Sequence, residues 1–341
     1  MSRSRATLAD VARLAGLSKA AASLVLNGRE GTRLSADAHQ RVFAAAAQLG
    51  YRPNVAARSL RTQKTSTFAF ISDIVATTRF AGDMIRGALD AAREHDHVLL
   101  IAETQGDESF EQHAIEAMLD RQVDGVVYAA MATRRLAVPA VLLTRPTVLL
   151  NATGDKWPCV LPDDARAGHA VAAALIEAGH RDGIGLIGRN RLKEGDPEVS
   201  LAARARLQGI ESTLKSAGAR LFGSASCQDW LPEHGYTAMR SLLRRRTRPT
   251  AVICMNDRLA FGAYQALAEA GLAIPQDVSV VSFDDDAIAA WLRPGLSTAA
   301  LPHEQMGRRA VELLLAGSPV ERYLVPMPLR RRGSIGPPAQ T

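Results

Sequence analysis

The sequence predicts a small all-α domain at the N-terminus, followed by a longer α/β region built on parallel β-sheets. Residues 7–27 have the apolar spacing of two short helices interrupted at Gly16, and beyond residue 66 short β-rich runs alternate with amphipathic helices. A chain of 341 residues, of which 47% are hydrophobic and 22% charged, is long enough to form two or three domains with cores of their own.

The first two helices are predicted by apolar residues that recur three and four positions apart. In the first helix these residues are Leu8, Val11, Ala12, Leu14 and Ala15, which should form one buried face. Gly16 ends this helix, and Ser18 is suited to cap a second one over 19–26. The inward positions of the second helix are Ala22, Val25 and Leu26. Such a pair is either a helix-turn-helix, whose second helix enters the DNA major groove, or an ordinary helical hairpin.

The positive charge of the chain is concentrated at its N-terminal end. The net charge is +6, but residues 1–64 contain eleven Lys and Arg against three acidic residues, and the remainder contains thirty basic against thirty-two acidic residues. A basic end on a near-neutral body is typical of a nucleic-acid-binding domain joined to a domain of another kind. A solvated basic tail is disfavoured because the segment has helical periodicity.

A third helix is predicted over 41–50, where Gly50 ends it, and a short fourth helix over 54–60. Pro53 ends any helical structure before the fourth helix, and Asn54 is suited to be the N-cap of that helix. A helix of about seven residues is not stable alone in water, so its folding should depend on a partner. Residues 63–66 form a polar linker.

Beyond this linker, the alternation of strands and helices predicts parallel sheets with helices on both faces. Strands are expected over 67–72, 98–103, 125–129, 147–151, 184–187, 220–223, 251–255 and 278–283. Helices are expected over 81–95, 109–122, 166–178, 201–217, 233–245, 258–270 and 304–316. So long an open series does not suit a single sheet.

Polar residues directly after two of these strands are candidates for a binding site, because doubly wound sheets bind ligands outside the C-terminal ends of their strands. Asn256 and Asp257 follow one strand, and Asp284, Asp285 and Asp286 follow another. The alternatives are a helix cap at the first position and a solvated acidic turn at the second.

No catalytic or metal-binding constellation is predicted. The run 183–188 spells G-x-G-x-x-G but lies within a predicted strand and is followed by Arg189 rather than a helix start, so we interpret it as a close-packed strand. Walker, His-Glu-x-x-His and Gly-x-Ser-x-Gly patterns are absent from the sequence. The acidic run 284–286 lacks further ligands at a useful spacing, which disfavours a cation site. We therefore expect a binding protein rather than an enzyme, with no cofactor and no metal.

The cysteines and the hydropathy limit the cellular context. Cys159, Cys227 and Cys254 are odd in number and without a Cys-x-x-Cys spacing, so we expect buried thiols rather than disulfides or a zinc site. No run approaches the roughly 18–20 apolar residues of a membrane-spanning helix, and the N-terminus lacks an apolar export segment. A cytoplasmic protein without a membrane partner is expected.

Several spaced motifs in the first sixty residues resemble the headpiece and hinge of the lactose-repressor (LacI/GalR) family of bacterial transcription regulators. They are TLADVARLAGLS, SLVLNG, the YRPN step and AARSLR. The resemblance continues to the C-terminus and implies a periplasmic-binding-protein-like core of two doubly wound parallel-sheet subdomains. The chain would cross between them near Asp163, Ser297 and Glu321.

The resemblance also implies domain boundaries. The helix-turn-helix headpiece would span residues 1–50, the hinge helix and linker 51–65, the core 66–330 and a C-terminal tail 331–341. Within the core, the N-terminal subdomain would comprise 66–162 and 298–320, and the C-terminal subdomain 163–297 and 321–330. The tail lacks a heptad repeat, so a homodimer is expected rather than a coiled-coil tetramer.

The resemblance places DNA-contacting residues in the headpiece and hinge. They are Thr7, Ser18, Lys19, Ala20, Ser23, Asn27, Tyr51, Asn54, Ala57, Arg58, Leu60 and Arg61. Lys19 and Ala20 occupy base-reading positions, where lysine donates to guanine and alanine contacts a thymine methyl. Leu60 would wedge into the minor groove, the alternative being a linker leucine packed on the core. The chain departs from the family at Ala21, Ala22 and Leu24, where a Thr-Val pair and often an arginine occur, so the operator sequence is not predicted.

For the effector, the resemblance implies five contacting residues: Phe80, Arg206, Trp230, Asn256 and Asp284. Arg206 would grip hydroxyls or carboxylates, and Trp230 would pack on a sugar face. The alternatives are a surface ion pair for Arg206 and core packing for Phe80 and Trp230. The run SFDDD replaces a more usual GFD-Asn, which puts the polarity of the pocket in doubt.

The function implied is that of a homodimeric repressor, which binds a pseudo-palindromic DNA operator and is controlled by a small molecule, a sugar or sugar derivative, between the core subdomains. Ligand-driven closure would shift the dimer away from the arrangement in which the hinge helices pair on DNA. The alternatives are a purine-type co-repressor with the same architecture, or a cytoplasmic sugar-binding protein or sugar-processing enzyme without a DNA function.

Overall fold

The computed structural model describes residues 6–26, 34–52, 64–74, 79–317 and 321–339, with the backbone alone at 79–81. The chain divides into two compact units, Met1–Thr65 and Ser66–Thr341. The first unit is the headpiece. The second is the core, whose two sheets define an N-terminal and a C-terminal lobe.

The headpiece contains helices α1 (Leu8–Ala15), α2 (Lys19–Leu26) and α3 (Ala36–Gln48). Thr7 and Asp10 form a reciprocal capping box at the start of α1, and Gly16 ends that helix in the left-handed region at φ +67°. The headpiece core consists of Val11, Ala12, Ala15, Ala22, Val25, Val42, Ala45 and Ala46. The prediction for Leu14 was wrong, because that side chain is 47% exposed. The third helix begins at Ala36 rather than at residue 41, since Ser35 caps it.

The N-terminal lobe is built on a parallel sheet, in which the described strands follow the order β11-β5-β4-β3-β1-β2. Its strands are β1 (Thr67–Ser72), β2 (Val98–Glu103), β3 (Gly125–Arg135), β4 (Thr147–Thr153), β5 (Cys159–Pro162) and β11 (Arg322–Val325). Its helices are α4 (Arg79–Glu94), α5 (Glu108–Asp120) and α12 (His303–Ala316), with a 3-10 turn at Ala140–Thr144. Helices α4 and α12 cross at Gly87 and Gly307, where a Cβ atom on either glycine would overlap the facing backbone.

The C-terminal lobe has the strand order β12-β10-β9-β8-β6-β7, and β12 pairs antiparallel to β10. Its strands are β6 (Ile184–Arg189), β7 (Leu221–Ser226), β8 (Ala251–Cys254), β9 (Ser279–Asp284), β10 (Ser297–Ala300) and β12 (Leu329–Arg330). Its helices are α6 (Asp164–Glu177), α7 (Arg191–Gly195), α8 (Ala202–Ser216), α9 (Pro232–Leu243), α10 (Asp257–Glu269) and α11 (Ala287–Trp291). The G-x-G-x-x-G run begins at Gly183, directly before β6, and its other five residues lie in that strand, in agreement with its interpretation as a strand.

Two of the three predicted crossings between the lobes fall at other positions. The first crossing is at Asp163, between β5 and α6. Strand β10 belongs to the C-terminal sheet, so the second crossing lies at 301–302 and not near Ser297. Strand β11 belongs to the N-terminal sheet, so the third lies at 326–328 and not near Glu321. Both strands contain polar residues and so lack the continuous apolar run that identified β8, which is also four residues long.

The segment 331–339 is not a free tail but packs on the C-terminal lobe. Ser334 is fully buried, its Oγ accepts a hydrogen bond of 2.8 Å from the Ser297 amide, and it donates one of 2.6 Å to the Val280 carbonyl. The buried His180 lies within hydrogen-bonding distance of the Gly336 carbonyl, with Nε2 at 3.0 Å. These bonds make the C-terminal segment part of the lobe's core.

Candidate functional site

Arg206, on α8, links three elements of the C-terminal lobe from a buried position. Its Nε donates to Asp164 Oδ1 at 2.7 Å, its Nη1 to the Met255 carbonyl at 2.7 Å, and its Nη2 lies 3.1 Å from Asp284 Oδ1. Its side chain is 4% exposed, so the alternative of a surface ion pair is excluded. These contacts use three of the five N–H groups of the guanidinium and fix its plane.

The charges of this cluster are unequal, since one guanidinium faces two carboxylates. Burial raises the pKa of both Asp164 and Asp284, and the attraction of Arg206 only partly opposes that effect. Burial also acts against the charge of Arg206, but Asp164 and Asp284 together outweigh it and raise the pKa of the guanidinium. The guanidinium therefore stays protonated. Its positive charge is balanced by the two carboxylates and does not attract an anionic ligand.

Asn256 has the helix-capping role that was given as its alternative, and its contact with the effector stays a prediction. Its Oδ1 accepts a hydrogen bond of 2.9 Å from the Leu259 amide and caps α10, while its Nδ2 donates to the Trp230 carbonyl at 3.1 Å. The Trp230 indole N–H donates to the Gly188 carbonyl at 2.9 Å, and its ring packs against the core of the lobe. The two residues are thus adjacent, although Trp230 has the core packing given as its alternative.

The acidic residues at the end of β9 and directly after it form an anchored turn rather than a solvated one. Asp284 and Asp285 have left-handed backbones, with φ of +108° and +57°, which is rare for residues other than glycine. Asp285 pairs with Arg332 at 2.7 Å, and its amide donates to Thr298 Oγ1 at 3.2 Å. The turn therefore holds the Asp284 carboxylate beside Arg206.

Asp257 supports this turn from beneath, a role that the sequence analysis did not assign. The side chain is buried, accepts a hydrogen bond from the Ser282 hydroxyl, and accepts another of 2.7 Å from the Asp286 amide. Burial, and then the nearby charge of Asp284, raises the pKa of Asp257 to about 7. Asp257 connects the start of α10 to the turn that carries Asp284.

Two cavities meet at Asp284, and residues of both lobes line them. The larger, of about 560 Å³, is lined by Asp83, Arg86, Asp284, Asp285, Ala300, Leu301, Pro302, His303, Glu304, Gln305, Pro328 and Arg330. The smaller, of about 270 Å³, is lined by Met131, Ala132, Asn256, Asp257, Arg258, Asp284 and Asp286. Asp284 therefore lines both cavities of the cleft between the lobes, whereas Arg206 lies behind that residue and not in the lining.

On the N-terminal lobe, Asp73 holds the facing wall of the cleft. Its Oδ1 accepts a hydrogen bond of 3.0 Å from the Met131 amide, and its Oδ2 accepts one of 3.1 Å from Arg134. Asp73 follows β1 directly, so the rule that identified Asp284 could also have identified it. The side chain of Phe80 lies outside the described residues.

In the headpiece, the predicted DNA-contacting residues that the structure describes are mostly on α2. Ser18 caps that helix through a hydrogen bond of 3.1 Å from the Ala21 amide, as predicted. Lys19 and Ala20 are exposed on its first turn, and Ser23 is partly exposed. Thr7 caps α1, and Tyr51 packs against the headpiece core. Asn27, Asn54, Ala57, Arg58, Leu60 and Arg61 lie outside the described residues.

A helix-turn-helix unit joined to a two-lobed core with a polar cleft defines the class of DNA-binding regulators that respond to a small molecule. Residues 7–54 match the family described as bacterial regulatory proteins, lacI family. Residues 73–327 match the family of periplasmic binding proteins and the sugar-binding domain of the LacI family. The chain belongs to the LacI family.

Individual proteins agree with this assignment. The ribose operon repressor of Haemophilus influenzae is 34% identical over 327 residues, covering 93% of this chain and 94% of the relative. The sucrose operon repressor of Escherichia coli is 33% identical over 341 residues, covering 96% and 99%.

Solved structures share the fold. A LacI-family transcriptional regulator from Rhizobium etli has a TM-score of 0.71 at 31% identity, covering 80% of this chain and 99% of that chain. A LacI-family regulator from Enterococcus faecium with bound ribose has a TM-score of 0.60 at 25% identity, with coverage of 80% and 99%.

The chain is therefore a DNA-binding transcriptional repressor with an effector-binding core, and it is not an enzyme. Among the residues that the structure describes, no helix is long and apolar enough to cross a membrane. The exposed first turn of α2 lies in one of the two units, and the cleft at Asp284 lies in the other.

Proposed function

We propose that the effector is an uncharged sugar, held in the cleft at Asp284, and that it acts as an inducer. The charge of the cleft carries this proposal. Its acidic lining residues are Asp83, Asp257, Asp284, Asp285, Asp286 and Glu304, against Arg86, Arg258 and Arg330. Arg206 and Arg332, behind the lining, pair with Asp284 and Asp285, so the acidic residues exceed the arginines by one. An excess of carboxylates repels phosphates and carboxylates but accepts hydrogen bonds from hydroxyl groups.

The neutral groups of the lining have the same preference. Burial, followed by the nearby charge of Arg206, lowers the pKa of His303 to about 4, so its imidazole is uncharged at neutral pH and serves as a donor or acceptor. The sugar operon repressors among the relatives support the same class of effector.

On the DNA side, Lys19 and Ala20 are the proposed base-reading residues of α2, and the hinge residues that the resemblance implies are proposed to contact the minor groove. Two copies of the chain would bind a pseudo-palindromic operator in the cytoplasm, one headpiece to each half-site. A sugar that contacts both walls of the cleft favours one arrangement of the lobes, and in this way it shifts the population of the DNA-binding state.

The test is thermal unfolding of the full chain with ribose and other pentoses, hexoses, disaccharides, their phosphates, and purines. A ligand at one hundred times its dissociation constant adds about 2.7 kcal/mol of stability. Stabilisation by an uncharged sugar that is lost in Asp284→Asn and retained in Asp120→Asn supports the proposal. Asp120 is a matched control, because its exposed carboxylate lies at the end of α5 and not in the cleft.

The same protein can be used to test whether the sugar is an inducer. Adding the identified sugar should release operator DNA from the repressor, measured by fluorescence anisotropy. Stabilisation by a sugar phosphate or a purine alone would overturn the effector class, whereas tighter DNA binding would overturn the inducer assignment.

A further inference from the structure

We infer a second small-molecule site, separate from the cleft at Asp284, in which Arg204 and Arg322 bind a small phosphate-bearing anion. The site is a cavity of about 200 Å³. Its lining residues are Glu194, Gly195, Pro197, Ser200, Leu201, Arg204, Ala205, Gln208 and Arg322. None of these lines either of the two cavities that meet at Asp284.

The two arginines come from different lobes. Arg204 is on α8 of the C-terminal lobe, and Arg322 begins β11 of the N-terminal sheet. A single anion that binds both guanidinium groups would therefore connect the lobes. This distinguishes the cavity from a surface depression within one lobe.

The cavity lies beneath a segment of the C-terminal lobe that is hydrogen-bonded to the other lobe. The Arg135 amide donates to the Pro197 carbonyl at 2.7 Å, and the Leu201 amide donates to the Thr133 carbonyl at 2.7 Å. Thr133 and Arg135 belong to the extended end of β3, whereas Pro197 and Leu201 also line the cavity. The wall of the cavity thus depends on this arrangement of the two lobes.

The charge at this cavity is positive, in contrast to the cleft. The carboxylate of Glu194 is already satisfied, because Arg189 donates to it twice at 2.8 Å and the Asn190 amide donates at 2.9 Å. Neither Arg204 nor Arg322 forms an ion pair with a carboxylate in the described part of the chain. Arg322 interacts with the thiol of Cys159, whose pKa is raised by burial, so this neighbour is neutral.

These groups suit phosphate chemistry. Guanidinium groups donate paired hydrogen bonds that match the geometry of phosphate oxygens. Ser200 Oγ accepts a hydrogen bond of 3.2 Å from the Ala203 amide, which leaves its proton available for an anion, and the Gln208 amide adds a donor. A volume of about 200 Å³ is below the roughly 300 Å³ of drug-sized pockets, so a compact anion is expected.

The consequence is a second input to the repressor. Because its two arginines lie on separate lobes, the anion favours the lobe arrangement in which both reach it. A ligand that binds this lobe arrangement more tightly is then coupled to the anion. Each of the two ligands changes the affinity of the protein for the other by the same factor. We expect phosphate to change the apparent affinity of the cleft for its effector without occupying the cleft.

The test is thermal unfolding of the full chain against inorganic phosphate in the low millimolar range, with chloride replaced to hold the ionic strength constant. The protein and Arg220→Ala should show a saturating rise in Tm. Arg204→Ala and Arg322→Ala should each lose it, while Arg204→Lys should retain part of it. Arg220 is the control because it is an exposed cation of the C-terminal lobe that does not line the cavity.

Two results would overturn the site. One is a rise in Tm that is linear in phosphate and equal in all variants, since exclusion of phosphate from the protein surface acts in that way. The other is the absence of any rise at constant ionic strength. Asp284→Asn should retain the phosphate response, so failure of the effector proposal and failure of this site give different results.

Discussion

Arg206 and Asp284 form a buried ion pair, with Nη2 3.1 Å from Oδ1, at the centre of the wall that the C-terminal lobe contributes to the cleft. The pair does not stand alone, because Asp164 binds Nε of the same guanidinium at 2.7 Å. Arg206 therefore positions the carboxylate that lines the cavities, while its own side chain stays behind them. A substitution at Arg206 should affect folding before it affects ligand selectivity.

We expect Arg206→Ala to lower the free energy of unfolding by about 3–5 kcal/mol, because it leaves two buried carboxylates without their partner. Arg206→Lys should recover only part of the loss, since an ammonium group cannot contact Asp164, Asp284 and the Met255 carbonyl with the same planar geometry. Urea unfolding would measure both variants. Arg166→Ala is the control, as this exposed arginine lies on α6 beside Asp164. Equal stability of Arg206→Ala and the control would refute the buried network.

Asp257 should make the protein less stable as the pH rises towards neutrality. Its folded-state pKa, about 7, is above the usual aspartate pKa of 3.8, so the folded state binds more protons than the unfolded state between these values. The stabilisation is complete below about pH 4 and is lost as the pH rises through about 7. At 1.36 kcal/mol for each pKa unit, the effect is at most about 4 kcal/mol.

Asp257→Asn tests this contribution. An amide oxygen can still accept the hydrogen bond from the Asp286 amide, but the side chain does not ionise. Unfolding free energies measured from pH 5 to pH 8 should show a smaller decrease in the variant than in the parent protein. Burial also raises the pKa of Asp164 and of Asp284, so part of the decrease in stability with pH should remain in the variant. Identical slopes in the two proteins would contradict the prediction.

How much of this site the sequence predicts depends on how far apart the interacting residues are along the chain. Asn256 and Asp284 were identified because each follows a buried strand, and parallel strands bring their carboxyl ends to one edge. Asp164 was not identified as a partner of Arg206, from which it is separated by 42 positions, because no local pattern records a pairing over that distance. The longer strands and helices have readable periods, and the four-residue β8 is a continuous apolar run, whereas β10 and β11 have neither signal.

The same reasoning explains the C-terminal segment. Its residues 331–339 are polar and rich in arginine, glycine and proline, a composition typical of a tail, and nothing local indicates that Ser334 is buried. The position of the segment is determined by hydrogen bonds to Val280 and Ser297, which come from two strands far from it in the chain.

Ser334→Ala should therefore lower the free energy of unfolding, although the residue lies near the C-terminus. The change removes an acceptor from the Ser297 amide and a donor from the Val280 carbonyl, and an unsatisfied buried polar group costs about 1–3 kcal/mol. Chemical unfolding of Ser334→Ala would be compared with Ser216→Ala, whose hydroxyl donates to the Ser212 carbonyl at an exposed position. A Ser334→Ala variant no less stable than Ser216→Ala would show that the segment is not part of the core in solution.

Lys19 should distinguish base reading from phosphate binding at the start of α2. Its side chain is exposed on the first turn of that helix, and Ser18 and Ala20 flank it. If its ammonium group contacts a guanine edge, Lys19→Ala should cost about 1–3 kcal/mol on the best operator and relax the preference at one base position. If it contacts phosphate, affinity should fall uniformly and the salt slope should decrease by about one.

Selection of binding sites from random DNA, followed by fluorescence anisotropy at several salt concentrations, would separate these outcomes for Lys19→Ala. Lys215→Ala is the matched control, since this exposed lysine lies on α8 of the core and should leave both the selected sequence and the salt slope unchanged. We expect the base-reading result, because helix-turn-helix proteins place the first residues of the second helix against base edges. An unchanged selected sequence and unchanged affinity in Lys19→Ala would remove Lys19 from the DNA contact and leave recognition to other residues of the headpiece and hinge.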